Sequence, residues 1–280
     1  MTDIFYSVEC HLSLVKGSLK LWHENCFIII DFSTRIKSKN IRLVGSSISR
    51  LVKKKIMYWI LFIATSLLSY LVQYNLQRKF KKYSQMPIAG GMTGKDIAEK
   101  MLRDNHITDV RVISTPGRLT DHYNPSNKTV NLSEGVYRSC SVAAAAVAAH
   151  ECGHAVQHAE SYAWLKMRSA LVPVVSFASN WMTWVLLAGI LTIETYPQVM
   201  LFGIILFAAT TLFSFITLPV EINASKRALV WLSKSGMTTT ANDAAAKDAL
   251  KSAAYTYVVA ALSSLATLIY YVMIYMGRRD

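Results

Sequence analysis

The chain has 280 residues, 52% of them hydrophobic, and a mean hydropathy of +0.29, which is high for a water-soluble domain. Its 30 Lys and Arg residues outnumber its 17 Asp and Glu residues, so the formal net charge is +13. No recognised nucleic-acid-binding motif accompanies this charge, and we expect the basic residues beside the apolar segments to meet anionic lipid headgroups instead.

The first 56 residues show neither helical nor strand periodicity, although they carry 10 basic and 4 acidic residues. They also lack the succession of basic, apolar and small residues that is typical of a signal peptide. We expect the segment to be either a poorly ordered extension or the product of a start assigned too early, with translation beginning at Met57. Residues 57–280 would then form the functional domain.

Four apolar stretches are each long enough to cross the hydrocarbon core of a bilayer, which takes about 20 helical residues. Tyr and Trp cluster at their ends, as they do at membrane interfaces. Core helices of a large soluble protein would carry polar faces, and these stretches have almost none. We therefore predict a mainly α polytopic membrane protein with about four transmembrane helices, over residues 56–74, 171–193, 198–220 and 253–276.

Only Thr195, Tyr196 and Pro197 separate the second and third spans, so these spans should form a hairpin. Residues 76–170 and 221–252 then face the same compartment. These two segments carry 13 and 5 Lys and Arg residues, whereas the hairpin turn carries none. Because positive loops stay in the cytoplasm, we expect both segments to face the cytoplasmic side of a plasma or inner membrane, although Arg278 and Arg279 lie on the opposite side.

A small α+β region is predicted between the first span and residue 141. The segment 92–107 has the pattern of an amphipathic helix, with Thr93 as its N-cap and Ile97, Met101 and Leu102 on one face. VRVIST and KTVNLS have the alternation of strands and are separated by the turn-rich PGRLTDHYNPSN. These strands would form either a plain structural hairpin or an exposed edge that binds an extended peptide.

The segment SVAAAAVAAHECGHAVQHA has the composition of a helix, with Ser139 and Ser141 as candidate N-caps. It contains the HExxH pattern as His150, Glu151 and His154. On a helix, positions i and i+4 lie on one face, so both imidazoles can bind one Zn²⁺, while the glutamate takes a proton from the attacking water. A chance match is the alternative interpretation. The sequence thus predicts a zinc peptidase helix within a zincin-like catalytic region.

A zinc site of this type needs a third protein ligand. His158 is a poor candidate, because it is eight residues from His150, about 12 Å along a straight helix. Glu221 is a better one, since it directly follows the third span and so lies at the membrane surface on the same side as the histidines. The alternative role for Glu221 is that of a capping or interfacial carboxylate.

Two further residues are candidates for stabilising the oxyanion of the transition state, namely His122 and Arg227. His122 would otherwise fix the DHYNP turn, and Arg227 would otherwise pair with a lipid headgroup. The four cysteines, at positions 10, 26, 140 and 152, show no paired spacing. They are therefore expected to be free thiols in a reducing compartment.

Six segments after Met57 recur together in one known group of proteins: KKYS, GGMTG, LTDHYNP, VNLSEGVY, AAHECGHAVQHA and PVEINASKRAL. In these the chain resembles the YugP-type membrane zinc metallopeptidases. More distantly, it is similar to the HtpX and CAAX prenyl protease group of gluzincins, whose third zinc ligand is a glutamate after transmembrane helices. This resemblance implies His150, His154 and Glu221 as ligands and Glu151 as general base.

One position departs from the broader group, which usually has an acidic residue four positions after the ligand glutamate. This chain has Ser225 there. An acidic side chain would orient a ligand histidine, and here either Ser225 or Asp121 would have to do so.

We therefore expect a membrane-embedded endopeptidase with one Zn²⁺ per chain. Its partners would be peptide or protein substrates, membrane proteins among them, and the surrounding lipid bilayer. The alternative is a membrane zinc-binding scaffold or regulator with little proteolytic activity. Both alternatives predict bound zinc, and they differ in turnover.

Overall fold

The computed structural model describes residues 41–277, with side chains placed for residues 56–57 and 59–277. Within this part of the chain the fold is mainly helical, with seven α-helices and a small three-stranded sheet. The helices are α1 (Ile41–Tyr83), α2 (Gly94–Asp104), α3 (Glu134–Tyr137), α4 (Val142–Ala159), α5 (Ala163–Leu191), α6 (Pro197–Lys234) and α7 (Thr240–Met276). The strands are β1 (Arg111–Thr115), β2 (His122–Asn124) and β3 (Thr129–Ser133).

Four helices are long and apolar enough to cross a membrane, which confirms the predicted number of spans. They are the Trp59–Tyr83 part of α1 together with α5, α6 and α7. Helix α1 begins at Ile41, so residues 41–56 of the predicted N-terminal extension are helical. The rest of that extension lies outside the described residues, and the boundary at Met57 stays a prediction.

Helices α5 and α6 form the predicted hairpin, joined by residues 192–196. Two glycines allow their backbones to come close together. A Cβ at Gly189 would lie 2.6 Å from the Cα of Met200, and one at Gly203 would lie 2.7 Å from the side chain of Leu186. This close packing sets the position at which α6 leaves the hairpin and therefore the position of residue 221.

The sheet differs from the predicted hairpin in its topology. The strand order is β1-β3-β2. β1 pairs with β3 in parallel, whereas β2 pairs with β3 antiparallel, with Tyr123 opposite Val130. The prediction that β1 and β3 are strands is confirmed, but a plain hairpin of these two strands, which was one of the two alternatives, is wrong, because the chain between them reverses through β2. That strand has only three residues and lies within the segment predicted as a turn.

Helix α4, which carries the HExxH residues, contacts elements from several parts of the chain. It packs against α2, β2, α6 and α7. The capping of α2 agrees with the sequence prediction, since the Thr93 side chain accepts a hydrogen bond from the Asp96 N–H and Asp96 accepts one from the Thr93 N–H. Ile97, Met101 and Leu102 are buried beneath it, as predicted.

Candidate metal centre

Helix α4 presents the HExxH residues from a rigid, buried segment. Its N-cap is Ser141, whose hydroxyl accepts a hydrogen bond from the Ala144 N–H at 3.2 Å. The alanines that follow are almost completely buried, so small side chains let α4 pack closely on its neighbours. The rings of His150 and His154 lie edge to face with centroids 4.9 Å apart.

Helix α6 brings Glu221 to these two histidines. Its Oε2 lies 3.3 Å from His150 Nε2 and 3.7 Å from His154 Nε2. One ligand atom from each of the three residues lies within 4.8 Å of the other two. Among the described residues, these three form the group that could hold a metal ion. Donors about 2.0–2.1 Å from a tetrahedral Zn²⁺ lie about 3.4 Å from one another. The donor types and their spacing therefore fit zinc.

The other nitrogen of each histidine is held by a polar side chain. Ser225 Oγ lies 3.1 Å from His150 Nδ1, and Gln157 Oε1 lies 3.1 Å from His154 Nδ1. Because an amide oxygen only accepts, Nδ1 of His154 carries the proton and Nε2 is free to bind a metal. Partners of this kind fix the tautomer and orientation of ligand histidines.

Gln157 contacts a candidate ligand histidine and was not singled out by the sequence analysis. Its side chain is fully buried, and its Nε2 donates to the Val220 carbonyl and to Asn223 Oδ1, both at 2.9 Å. It thereby ties a ligand histidine on α4 to the part of α6 that carries Glu221. The sequence signal was its position, three residues after His154 on the same helix.

Ser225, and not Asp121, is the residue that orients a candidate ligand histidine. The other candidate, Asp121, accepts hydrogen bonds from the N–H and hydroxyl of Ser133 at 2.7 and 3.0 Å. Asp121 therefore joins the start of β2 to the end of β3, while Ser225 contacts the histidine.

Glu151 follows His150 on α4, and its side chain points toward the sheet, where the Tyr123 N–H donates to its Oε2 at 3.0 Å. Burial raises the pKa of Glu151 to about 7, although the nearby His150 opposes that rise. A carboxyl group with a pKa near neutrality can both accept and donate a proton. This is the property that a general base and acid needs.

The remaining predicted residues occupy varied positions. His158 Nδ1 lies 2.8 Å from the Tyr123 hydroxyl, and His158 is not in the candidate metal cluster. His122, on β2, has its Nδ1 2.7 Å from the Thr120 carbonyl. Arg227 donates to Glu160 at 2.6 Å and to Asn223 at 2.7 Å. Roles for His122 and Arg227 at the oxyanion stay predictions.

Two residues near Glu221 come from the membrane helices and were missed by the sequence analysis. Arg168 Nη1, on α5, lies 3.5 Å from Glu221 Oε1. Tyr257, on α7, is close enough to interact with the same carboxylate. Tyr257 lies within the predicted span 253–276, and Arg168 lies three residues before the predicted span 171–193. Nothing in the local pattern distinguishes either residue.

Residues 58–276 match the sequence profile of a family described as "Putative neutral zinc metallopeptidase". This chain belongs to that zinc metallopeptidase family. It is also 42% identical over 220 residues to "Putative membrane protease YugP" of Bacillus subtilis (strain 168), an alignment that covers 79% of this chain and 97% of the relative. No solved structure matches the chain.

The candidate metal centre depends on a close approach of α4 to α6. A Cβ at Gly153 would lie 2.7 Å from the backbone oxygen of Ala224 and 3.2 Å from its Cα. Gly153 lies between the two histidines in sequence, and Ala224 lies three residues after Glu221. The glycine therefore sets the separation of the two helices that supply the candidate ligands.

We expect Gly153→Ala to push α6 away from α4 and to lower zinc affinity. Contact with a backbone atom cannot be relieved by a rotamer change, so we also expect destabilisation of about 1–3 kcal/mol. Zinc content and thermal unfolding of detergent-purified protein measure both effects. Gly135→Ala is the matched control, because a Cβ there meets nothing within 4 Å. Normal zinc binding by Gly153→Ala would contradict this account of the close approach.

Proposed function

We propose that the protein is an integral membrane zinc endopeptidase that hydrolyses peptide bonds. The observation that supports this most strongly is the convergence of His150 Nε2, His154 Nε2 and Glu221 Oε2 from two helices, with their ligand atoms within 4.8 Å. Three protein ligands leave a fourth position open, as in catalytic rather than structural zinc sites. One ion per chain follows from one such cluster in the described residues.

The proposed division of work separates the metal ligands from Glu151. Zinc in a site of this kind supplies a Lewis acid that polarises the scissile carbonyl. Glu151 takes a proton from the attacking water and delivers it to the leaving amine. Glu151 is 9% exposed, so bulk water has little access to it. The Tyr123 N–H holds one of its carboxylate oxygens in place.

The substrate is proposed to bind along β2, which is an edge strand of the sheet. The Tyr123 N–H donates to Glu151 and not to β3. The N–H of Tyr123 therefore lies on the open edge of the strand. An extended peptide that adds to this edge would run past Glu151 and the candidate ligands. The sequence analysis considered this role only for the neighbouring strands β1 and β3, as one of two alternatives.

The location of the centre along the membrane helices favours substrates at the bilayer surface. Large apolar side chains are exposed within four residues of Arg168, Glu221 and Tyr257 on each of the three helices; they are Trp164, Met167, Ile222 and Tyr255. Such side chains are suited to the interfacial region of a membrane. We therefore propose membrane proteins, or peptides bound to the bilayer, as substrates.

The catalytic side is proposed to be cytoplasmic, on the basis of the Lys and Arg distribution. In intact cells carrying Tyr196→Cys, a membrane-impermeant thiol reagent should label position 196, since Tyr196 is 62% exposed in the α5–α6 turn. The native Cys140 is exposed on the catalytic side and should be labelled only after permeabilisation. Mass spectrometry of both positions provides the readout, and the reverse pattern would place the centre outside the cytoplasm.

Hydrolysis is tested by comparing the proteomes of cells that carry the native chain or Glu151→Gln. Substrates should accumulate only in cells with the variant, because the glutamine leaves the metal ligands intact but cannot transfer protons. Cells that lack the protein are a useful reference. If the protein were a scaffold, its deletion would change the proteome, whereas Glu151→Gln would not. That second pattern would contradict the proposed peptidase function.

A further inference from the structure

The two oxygens of the Glu221 carboxylate have different surroundings. Oε2 faces the two histidines, at 3.3 Å from His150 Nε2 and 3.7 Å from His154 Nε2. Oε1 faces Arg168, whose Nη1 lies 3.5 Å away. The hydroxyl of Tyr257, on α7, also interacts with this carboxylate. The carboxylate is thus held from α5 and α7 while it reaches α4.

Arg168 is itself largely buried. Its side chain is 12% exposed and that of Glu221 is 5% exposed. Burying a guanidinium is costly unless it is paired and hydrogen-bonded, so the position demands a partner, and Glu221 is one. Lys166, two residues earlier on the same helix, is exposed. The contrast places only one of the two basic residues of this turn at the candidate metal centre.

A carboxylate can bind zinc through one oxygen or through both. If both oxygens of Glu221 bound, the second would occupy space that a catalytic site keeps open for water and substrate. A donor on Oε1 withdraws that oxygen from the metal. Arginine suits this task because it is always charged and presents several N–H groups in a rigid plane.

We propose that Arg168 and Tyr257 are positioning residues that hold Glu221 as a one-oxygen metal ligand. This inference rests on the proposed zinc site but goes beyond it, since it assigns a task to two residues of the membrane helices. Arg168 fixes the carboxylate from α5, and Tyr257 fixes it from α7. Neither residue needs to touch the substrate.

The test uses the full chain in detergent with Co²⁺ in place of zinc, because the visible absorption of Co²⁺ weakens when its coordination number rises from four to five. Arg168→Gln should lower metal affinity by about 10–100-fold, as loss of outer partners of metal ligands does, and should weaken the absorption. Arg168→Lys should recover part of both, since it keeps the charge but loses the planar group. Lys166→Gln, which removes a charge from the same helix turn, should match the native chain.

Tyr257→Phe provides a second variant that removes only a hydroxyl, and it should lower affinity with a smaller spectral change. Its matched control is Tyr255→Phe, at an exposed position two residues earlier on α7. Native affinity and a native spectrum in folded Arg168→Gln or in Tyr257→Phe would overturn the proposal. A native chain that binds neither Co²⁺ nor Zn²⁺ would instead overturn the zinc site itself.

Discussion

Glu221→Ala should abolish stoichiometric zinc binding, and His150→Ala and His154→Ala should do the same. Each variant removes one of three converging donors, and a two-donor site lacks the ligand count of known protein zinc sites. The loss of affinity should exceed the factor of about 10–100 that outer partners contribute. Metal analysis of detergent-purified protein measures the zinc content per chain.

The matched control for Glu221→Ala is Glu194→Ala. Glu194 is an exposed glutamate in the turn between α5 and α6, at the far end of the hairpin from Glu221. This variant should retain one zinc per chain. Full zinc occupancy in Glu221→Ala would remove that residue from the ligand set and would leave only the HExxH histidines.

Glu151→Gln should retain zinc but lose hydrolysis. Glutamine has nearly the same shape and keeps an oxygen that can accept the Tyr123 N–H bond, so the fold around the centre should persist. It has no titratable proton, and general acid–base catalysis typically contributes a factor of about 10²–10⁴. Turnover and zinc content measured on the same preparation decide the matter, and a variant with native turnover would exclude Glu151 as the base.

The parts of the fold that sequence predicted were those with strong local signals. The four apolar stretches and the alanine-rich HExxH helix follow from composition and from spacing within one element. Glu221 was found differently, through the short turn that returns α6 to the side of the histidines. That argument needed only the topology of the spans, and the structure brings Glu221 to both histidines.

The parts that sequence missed depend on contacts between distant elements. β2 is three residues long and is defined by its partner β3, not by its own alternation. Arg168 and Tyr257 lie on apolar helices far from α4 in sequence, and only the packing of three helices brings them to Glu221. Gln157 is on the HExxH helix, but its importance follows from its bonds to α6.

The most direct test of the central claim is the appearance of new peptide termini. Purified native chain and Glu151→Gln, each with one zinc bound, would be reconstituted with membrane proteins in liposomes, and new N-termini would be identified by mass spectrometry. We predict new termini with the native chain, concentrated near the ends of membrane spans, and none with the variant. Equal sets of termini from the two proteins, or none from either, would contradict the assignment of a zinc endopeptidase.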